Sequence, residues 1–427
     1  MAIQTNKELR NKLIYCVYTR YFSDEGTFAA VEKELDRIKN LGTDIIWFLP
    51  IYPIGKVNRK GIAGSPYAIS DYRAINPEFG TMADFEHLVS EIHNRGMKVM
   101  IDIVFNHTSP DSLLVQEHPE WFYHKEDGSF GNRVGDLTDI IDLDYANKDL
   151  WNYQIATLTM WAEKGVDGFR CDVAPLVPMA FWNQARQAVS EINPDHIWLS
   201  ESIDFGFLRE LRNRKLIAHS DSEVYQVFDI TYDYDMRGFF DNYLQGKIPL
   251  TRYAEALSQQ DLIFPANYIK LRNLENHDTK RITSLVTNHE QLRQWTAFEF
   301  FQKGTSLIYN GQEVCDAVEP SLFETGTVAW DGQYNISDYI TKLASLKKGL
   351  SLDANYEIQA SDETDSVVIA YFSDKVETVG VFSFKGRTGE TDLPLEDGNY
   401  INQLTDETVV VTDGKVDLSQ TPIWISL

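Results

Sequence analysis

The sequence is poor in cysteine, in basic residues and in long apolar runs, and each shortage argues against a class of protein. Its three cysteines, Cys16, Cys171 and Cys315, have no metal-ligand spacing and cannot all pair as disulfides. We therefore expect three buried thiols in a reducing compartment. Lysine and arginine number 39 against 64 acidic residues, so the formal net charge is −25. Nucleic acids and anionic membranes are bound through basic patches, and neither is expected as a partner.

Signals for targeting, for membrane insertion and for nucleotide binding are also missing. The opening residues, MAIQTNKELR, contain no apolar stretch of the signal-peptide type. No segment approaches the roughly 20 apolar residues that a membrane span needs. No glycine-rich phosphate loop follows a predicted strand, so no organic cofactor is expected. If Met1 is the native start, these observations predict a cytoplasmic protein.

What the sequence does contain is a regular alternation of short apolar runs and helical patterns. With 427 residues, 43% of them hydrophobic, it holds enough apolar material for one large domain with additions, or for two domains. Thr81, three residues before Asp84, predicts the cap of a helix. Eight strands are predicted in the first part of the chain, at residues 13–18, 43–49, 97–104, within 165–176, and at 196–201, 224–228, 268–274 and 306–309.

After Gly349 the apolar period changes from helical to two residues. Period-two segments occur at 367–372, 378–384, 409–411 and 423–427, and Asp413-Gly414 predicts a hairpin turn. The predicted fold is therefore α/β, a (β/α)₈ barrel followed by an antiparallel β-sandwich domain. We place the barrel at 1–105 and 148–348, an inserted loop domain at 106–147, and the C-terminal domain at 349–427.

Acid, amide and imidazole side chains follow four of the predicted strands. Arg170 and Asp172 are two residues apart on one strand, so their side chains point to the same face. His107, Glu201 and Asp278 come shortly after three other strands. Parallel barrels place function at the C-terminal ends of their strands, which predicts one site built from several loops. Taken alone, Arg170 and Asp172 could equally form a structural ion pair.

Four segments in order, residues 102–107, 168–174, 198–201 and 274–278, resemble the ordered sequence regions of the α-amylase family of glycoside hydrolases. They read DIVFNH, GFRCDVA, WLSE and LENHD. A weaker fifth match is IIDLD at 140–144, and YNGQE at 309–313 resembles the family's last barrel strand. The resemblance covers the chain from about residue 13 to residue 313.

The resemblance implies three catalytic carboxyl groups. Asp172 matches the nucleophile, Glu201 the general acid and base, and Asp278 a third carboxylate that grips sugar hydroxyls as the ring flattens. Arg170 beside Asp172 should keep that nucleophile ionised, whereas Glu201 has no adjacent cation in the sequence. Retaining glycosidases hold their two carboxyl groups roughly 5 Å apart, a spacing that adjacent barrel strands can supply.

The resemblance also implies substrate-binding side chains. His107 and His277 match histidines that donate to sugar hydroxyls, Arg170 matches the family's arginine, and Tyr67 matches a tyrosine that stacks under the cleaved sugar. The alternatives are a surface histidine, a helix cap at residues 276–278, and an ordinary loop aromatic.

Asn106 and Asp142 match calcium ligands of the family, and both offer the oxygen donors that this ion requires. The family's endo-acting amylases carry Lys and His after the nucleophile where this chain has Pro175 and Leu176. The leaving-group subsites therefore differ, and a carbonyl that supports calcium is changed as well. The sequence leaves a calcium site as an open alternative.

The fifth matching segment, residues 140–144, indicates which glycosidic linkage is cleaved. Family members that act on α-1,6 bonds or on sucrose show Gln-Pro-Asp-Leu-Asn there, and this chain has Ile-Ile-Asp-Leu-Asp. The hypothesis is a retaining hydrolase of α-1,4 bonds in α-glucans or maltooligosaccharides, working through a glycosyl-Asp172 intermediate. A transglycosylase with the same residues and a non-catalytic glucan-binding barrel are the alternatives. Chain-length preference and oligomeric state stay open.

Overall fold

The structure is a computed structural model that describes residues 5–135, 137–332 and 334–427. The start of the chain through residue 4, residue 136 of the predicted insertion and residue 333 lie outside the described residues. The chain divides into two compact units. The first is Ile14–Tyr232 with Thr5 and Val318–Ala329, and the second is Asn6–Leu13, Asp233–Ala317 and Trp330–Leu427.

The strands follow one another along the chain at short intervals. They are β1 (Leu13–Val17), β2 (Ile45–Phe48), β3 (Lys98–Ile103), β4 (His107–Thr108), β5 (Ile141–Asp142), β6 (Gly168–Cys171), β7 (Ile197–Ser200), β8 (Ile230–Tyr232), β9 (Lys270–Arg272), β10 (Thr305–Tyr309), β11 (Asn355–Ser361), β12 (Ser366–Phe372), β13 (Val376–Ser383), β14 (Glu390–Asp392), β15 (Gly398–Ile401), β16 (Thr408–Val411), β17 (Lys415–Asp417) and β18 (Ile423–Ser426).

The α-helices lie between β1 and β11 along the chain. They are α1 (Thr19–Phe22), α2 (Phe28–Glu32), α3 (Leu35–Asn40), α4 (Met82–Asn94), α5 (Leu113–Glu117), α6 (Lys148–Glu163), α7 (Met179–Ser190), α8 (Phe205–Asn213), α9 (Asp221–Val224), α10 (Tyr234–Leu244), α11 (Leu250–Ile263), α12 (Ile282–Leu285), α13 (His289–Phe301) and α14 (Ser337–Lys347). Within the described stretches, none of these helices has the length and apolar character needed to cross a membrane.

Eight strands form a closed barrel in the order β1-β10-β9-β8-β7-β6-β3-β2. The pairs from β1 through β2, β3, β6 and β7 to β8 are parallel, as is the pair β9 with β10. Such strands are buried on both faces, which is why β1 and β2 are continuous apolar runs rather than alternating ones. The predicted (β/α)₈ barrel is confirmed.

Helix α4 begins where the sequence supplies a side-chain cap. The hydroxyl of Thr81 accepts from the Asp84 backbone N–H at 3.2 Å, and the Asp84 carboxylate accepts from the Thr81 N–H at 2.7 Å. This reciprocal pair is the predicted cap of α4. Helix α6 is followed by Gly165 at φ 89°, a left-handed conformation that glycine adopts without a Cβ clash, and the chain then turns into β6.

The prediction for the sixth strand was wrong. Residues 224–228 are the end of α9 and a turn, and the strand is β8 at Ile230–Tyr232. Val224, Val227 and Phe228 are buried because a helical turn packs them inward, and a short apolar run does not distinguish that from a strand. The expectation for Cys315 was also wrong, since this thiol lies half-buried in the turn after a short helix at Gln312–Val314.

The C-terminal part of the second unit forms an antiparallel sheet in the order β11-β12-β13-β18, as the period-two pattern predicts. Alternate residues of its strands, with Leu393, Val411 and Val416, form a shared apolar core. Helix α13 packs on the sheet, because Trp295 stacks on Phe384 with ring centroids 3.7 Å apart and Phe301 meets Trp424 at 4.5 Å. The domain boundaries that we placed at 105, 147 and 348 stay a prediction.

Candidate active site

Arg170 is the centre of the polar cluster in the first unit. Its Nη1 donates to Asp102 Oδ1 at 2.9 Å and to Asp172 Oδ1 at 2.8 Å, and its Nη2 lies 3.1 Å from Glu201 Oε2. The Arg170 and Asp102 side chains are fully buried, and those of Asp172 and Glu201 are 10% exposed. The predicted proximity of Arg170 and Asp172 is confirmed.

The register of three neighbouring strands brings these side chains together. Arg170 on β6 lies opposite Asp102 on β3 and Leu199 on β7. Hydrogen bonding continues past the strand ends, since the Asp172 N–H donates to the Ile103 carbonyl at 2.8 Å and the Glu201 N–H donates to the Cys171 carbonyl at 3.0 Å. The two acids therefore occupy fixed positions at the C-terminal ends of β6 and β7, as in other parallel barrels with sites there.

Aromatic rings enclose the guanidinium of Arg170. Its Cζ lies 5.4 Å from the ring centroid of Trp47, 5.7 Å from that of Tyr67 and 5.2 Å from that of Tyr232. Arg170 Nε donates to the Tyr232 hydroxyl at 3.1 Å. The rings exclude water while their π faces attract the cation, so the charge is held by contacts rather than by hydration.

Burial and the neighbouring charges shift the pKa values of the cluster in opposite directions. Burial raises the pKa of Asp102, and the adjacent Arg170 only partly opposes the rise. Burial lowers the pKa of Arg170, but the carboxylates of Asp102 and Glu201 outweigh it and the net pKa is well above the usual value. Arg170 is therefore a permanent cation.

The expectation that Glu201 has no cation beside it was wrong, because Arg170 reaches it across the strand pair. Arg170 and Glu201 are far apart in the sequence, and only the β6–β7 register shows that they meet.

Val173, directly after Asp172, has φ 36° and ψ 41°. This left-handed conformation is costly for a β-branched residue, and such strain is concentrated at functional sites. In this conformation the Val173 N–H donates to Glu201 Oε2 at 2.8 Å. The turn after Asp172 thus also fixes the position of Glu201.

Tyr67 and His107 lie beside the cluster in the first unit. The Tyr67 hydroxyl donates to Asp102 Oδ2 at 3.2 Å, which places its ring next to Arg170. His107 is buried on the short strand β4, opposite Asp142 on β5, and burial lowers its pKa. A neutral imidazole can donate one hydrogen bond, as a sugar-contacting histidine requires.

His277 and Asp278 follow β9 in the second unit. His277 Nε2 lies 3.1 Å from Asp278 Oδ2, and the Tyr234 hydroxyl lies 3.5 Å from the same oxygen. Asn276 Oδ1 accepts from the Asp278 N–H at 2.9 Å, which closes a local turn. Helix α12 begins only at Ile282, so residues 276–278 are not its cap.

Sequence reasoning missed several residues that shape these groups. Asp102 stood in a recognised motif but received no role, and Trp47, Tyr232 and Tyr234 were not named. Tyr232 ends the strand that was misplaced, so its position beside Arg170 could not be inferred. Tyr234 follows two residues later and belongs to α10.

As they stand, the residues that the resemblance implies as calcium ligands do not fit a metal ion. Asp142 Oδ2 accepts the Arg133 backbone N–H at 2.6 Å, and a guanidinium nitrogen of Arg133 lies 3.9 Å from the same oxygen. Asn106 Nδ2 lies 3.2 Å from His107 Nδ1. Calcium takes six to eight oxygen ligands. Over the described stretches, no group of three or more His, Cys, Asp or Glu could hold a metal ion.

Comparison with known proteins connects this geometry to a family. The sequence model described as "Alpha amylase, catalytic domain" matches residues 11–133 and 115–333, and that described as "Bacterial Alpha amylase C-terminal domain" matches residues 357–425. The crystal structure of an alpha-amylase from Lactobacillus plantarum is 48% identical, covers 99% of this chain and all of its own, and superposes with a TM-score of 0.96.

Two further relatives differ in their reactions. A maltogenic alpha-amylase, AmyB from Thermotoga neapolitana, is 33% identical over 98% of this chain and 99% of its own, with a TM-score of 0.87. An alpha-1,4-glucan:maltose-1-phosphate maltosyltransferase from Cereibacter sphaeroides is 36% identical over 315 residues, which are 68% of this chain and 49% of the relative. The chain spans about half or less of the length of the first curated relatives it matches. With the catalytic model matching most of its barrel, the chain belongs to the α-amylase family.

Proposed function

We propose that this chain is a retaining glycoside hydrolase that cleaves α-1,4-glucosidic bonds in α-glucans or maltooligosaccharides. The observation that carries the proposal is the Arg170 cluster, in which one buried guanidinium meets Asp102, Asp172 and Glu201 at the ends of adjacent strands. Two of these carboxyls keep a small exposed face, so a bound sugar can reach them.

The cluster can supply an acid at neutral pH. Three carboxyls face one guanidinium in a buried environment, and ionising all of them would leave uncompensated negative charge there. A proton is therefore retained within the cluster. In the proposed mechanism Glu201 carries this proton when substrate is bound and gives it to the glycosidic oxygen.

In the first step, an Asp172 oxygen attacks the anomeric carbon as Glu201 gives its proton to the departing glycosidic oxygen. The bond between the anomeric carbon and the leaving sugar breaks, and a glycosyl ester of Asp172 remains. In the second step, a water molecule gives a proton to Glu201 while its oxygen attacks the anomeric carbon, which releases Asp172. Each step inverts the carbon, so the product keeps the α configuration.

The remaining predicted residues bind the sugar in this proposal. Tyr67 stacks beneath the ring, and His107 and His277 donate to hydroxyl groups. Asp278 accepts from hydroxyls and holds them more strongly as positive charge develops on the ring. Arg170 contributes to sugar binding indirectly, because it holds Asp172 and Glu201 in position. A neutral glucan is not repelled by the net charge of −25.

A transglycosylase is the second candidate, and the similarity to the maltosyltransferase favours it. The same glycosyl-Asp172 ester would then be attacked by a sugar hydroxyl instead of water, with Glu201 taking the hydroxyl proton. Relative access of water and sugar to the ester decides between the two reactions. A non-catalytic glucan-binding barrel is disfavoured because Asp172, Glu201 and Asp278 are all present.

The deciding experiment incubates the purified chain with maltoheptaose and follows products by chromatography and anomer-resolved NMR. Shorter oligosaccharides released first as α anomers are expected for the retaining hydrolase. Products longer than the input would identify the transglycosylase. If maltoheptaose, sucrose, isomaltose and trehalose all stay intact, the non-catalytic alternative replaces both.

A further inference from the structure

We propose that Arg133 takes the place of a structural metal ion in this chain. The stability of the inserted segment, residues 106–147, then does not depend on calcium. Three acids lie near the end of that segment. Asp139, Asp142 and Asp144 lie close together in the sequence, and the first two side chains are only 6% exposed. Buried acids in such a group require compensating positive charge.

The guanidinium of Arg133 supplies part of that charge. Its Nη1 donates to the Leu143 carbonyl at 2.9 Å and lies 3.9 Å from Asp142 Oδ2, and its Nη2 lies 3.3 Å from Asp144 Oδ1. Its plane covers the ring of Tyr123, with 4.6 Å between Cζ and the ring centroid. One cation thus contacts carboxylate, carbonyl and aromatic partners from several turns of the segment, as a bound ion would.

Three further contacts tie the same region to neighbouring loops of the first unit. Lys60 Nζ lies 2.7 Å from Asp139 Oδ1, and Asn58 Nδ2 donates to the Thr138 carbonyl at 2.9 Å. Arg214, which follows α8, donates to the carbonyl of Arg133 itself. The segment is therefore linked to the loops after β2 and α8 by direct side-chain contacts.

These contacts oppose a metal ion at Asn106 and Asp142. A divalent cation there would meet the charge of Arg133 within a few ångströms, in a partly buried site where charges are weakly screened. An arginine does not lose its proton at accessible pH, so this repulsion is permanent. The charge of Arg133 belongs to the chain itself, so unlike a bound metal ion it cannot dissociate from this position.

The test compares wild type, Arg133→Ala, Arg133→Lys and a matched control, Arg73→Ala. Arg73 also lies over a tyrosine, 3.9 Å from the Tyr153 ring centroid, and it donates to the Tyr153 carbonyl and the Thr157 hydroxyl, both on helix α6. R133A and R73A have the same net charge. Thermal unfolding is measured with EDTA and with calcium, and terbium binding is followed by emission sensitised through tyrosine.

We expect the unfolding midpoint of the wild type to be the same with EDTA and with calcium. R133A should unfold several degrees lower and should gain terbium binding at concentrations where wild type and R73A show none, because its acids are then uncompensated. R133K, which keeps the charge, should not gain it. Calcium-dependent stability of the wild type, or R133A that matches R73A in terbium binding, would overturn the proposal. None of these readouts depends on catalytic activity.

Discussion

At the scale of single residues, the most informative feature is that Arg170 is shared by three carboxyls. Isolated ion pairs at protein surfaces contribute little, but a buried cation with several partners fixes geometry at a cost in stability. A cluster with more negative than positive groups is under electrostatic strain. Replacing one acid by an amide should relieve part of that strain while removing the chemistry.

Asp172→Asn tests this directly. Turnover should fall roughly 10⁴-fold or more, since the proposed nucleophile is lost. The thermal unfolding midpoint should be unchanged or higher, because one carboxylate has left a group that holds three around Arg170. The measurements are maltooligosaccharide turnover and differential scanning calorimetry.

Asp229→Asn is the matched control for that variant. Asp229 is also buried and lies 2.8 Å from Arg186, and it accepts the Trp198 N–H at 3.0 Å. Asp229 and Arg186 form a pair of one negative and one positive charge, so Asp229→Asn should lose stability and keep turnover. Full turnover by Asp172→Asn would refute the assignment of the nucleophile.

The Tyr232 hydroxyl is a second residue-scale test. Tyr232→Phe leaves the Nε–H of Arg170 without its partner, which costs about 1–3 kcal/mol when the group stays buried. A guanidinium that shifts also moves Asp172 and Glu201, so kcat should fall on the order of tenfold, the equivalent of ~1.4 kcal/mol. Steady-state kinetics and urea unfolding measure the two effects.

Tyr225→Phe removes a comparable buried contact from the same strand, since Thr231 donates to the Tyr225 hydroxyl at 2.8 Å. It should lower stability without lowering kcat. Equal kcat values for the two variants would show that Tyr232 is structural only.

At the scale of elements, the start of β10 depends on a glycine. Gly304 has φ +140°, and a Cβ there would lie 2.4 Å from the carbonyl oxygen of Lys270 on β9. Gly304→Ala should therefore destabilise the chain by roughly 2 kcal/mol or more. Gly238, inside α10, has nothing within 4 Å of such a Cβ, and Gly238→Ala should stabilise by about 0.5–1 kcal/mol. Denaturant midpoints measure both, and equal shifts would contradict the steric argument.

The barrel strands also show which sequence patterns predict a strand correctly and which do not. Buried parallel strands such as β1, β2 and β3 were predicted correctly because continuous apolar runs between helices and turns are typical of strands covered on both faces. Strand β8 was missed because the longer apolar run just before it, at 224–228, has the pattern of a strand although it ends helix α9 and forms the turn after it. Apolar character alone does not distinguish a buried helical turn from a buried strand.

At the scale of the whole molecule, the candidate site was predictable where motifs mark strand ends, and unpredictable where contacts depend on register. Arg170 and Asp172 share a face by period two, so their contact followed from the sequence. The contact between Arg170 and Glu201 depends on how β6 and β7 align, which no local pattern encodes. The proposed replacement of a metal ion by Arg133 was not predicted either, because this residue lies outside every recognised motif.

The response of the whole chain to acid is set in part by histidines that fold in the neutral form. His196 is 4% exposed between Phe169 and Trp198, and within the described parts of the chain neither ring nitrogen has a hydrogen-bond partner. Burial, with Arg186 and Lys98 nearby, lowers its pKa to about 3. The unfolded chain takes up this proton near pH 6.5, whereas the native chain does not, so native stability falls as the pH drops from about 6.5 towards 3.

The expected contribution of His196 is a loss of up to about 1.4 kcal/mol per pH unit across that range. His196→Leu removes the proton acceptor, so its unfolding free energy should fall less steeply between pH 6.5 and 4.5 than that of the wild type. Urea unfolding at several pH values measures these slopes. Parallel curves for wild type and His196→Leu would mean that His196 is protonated within the folded chain, and that the acid sensitivity arises from other groups.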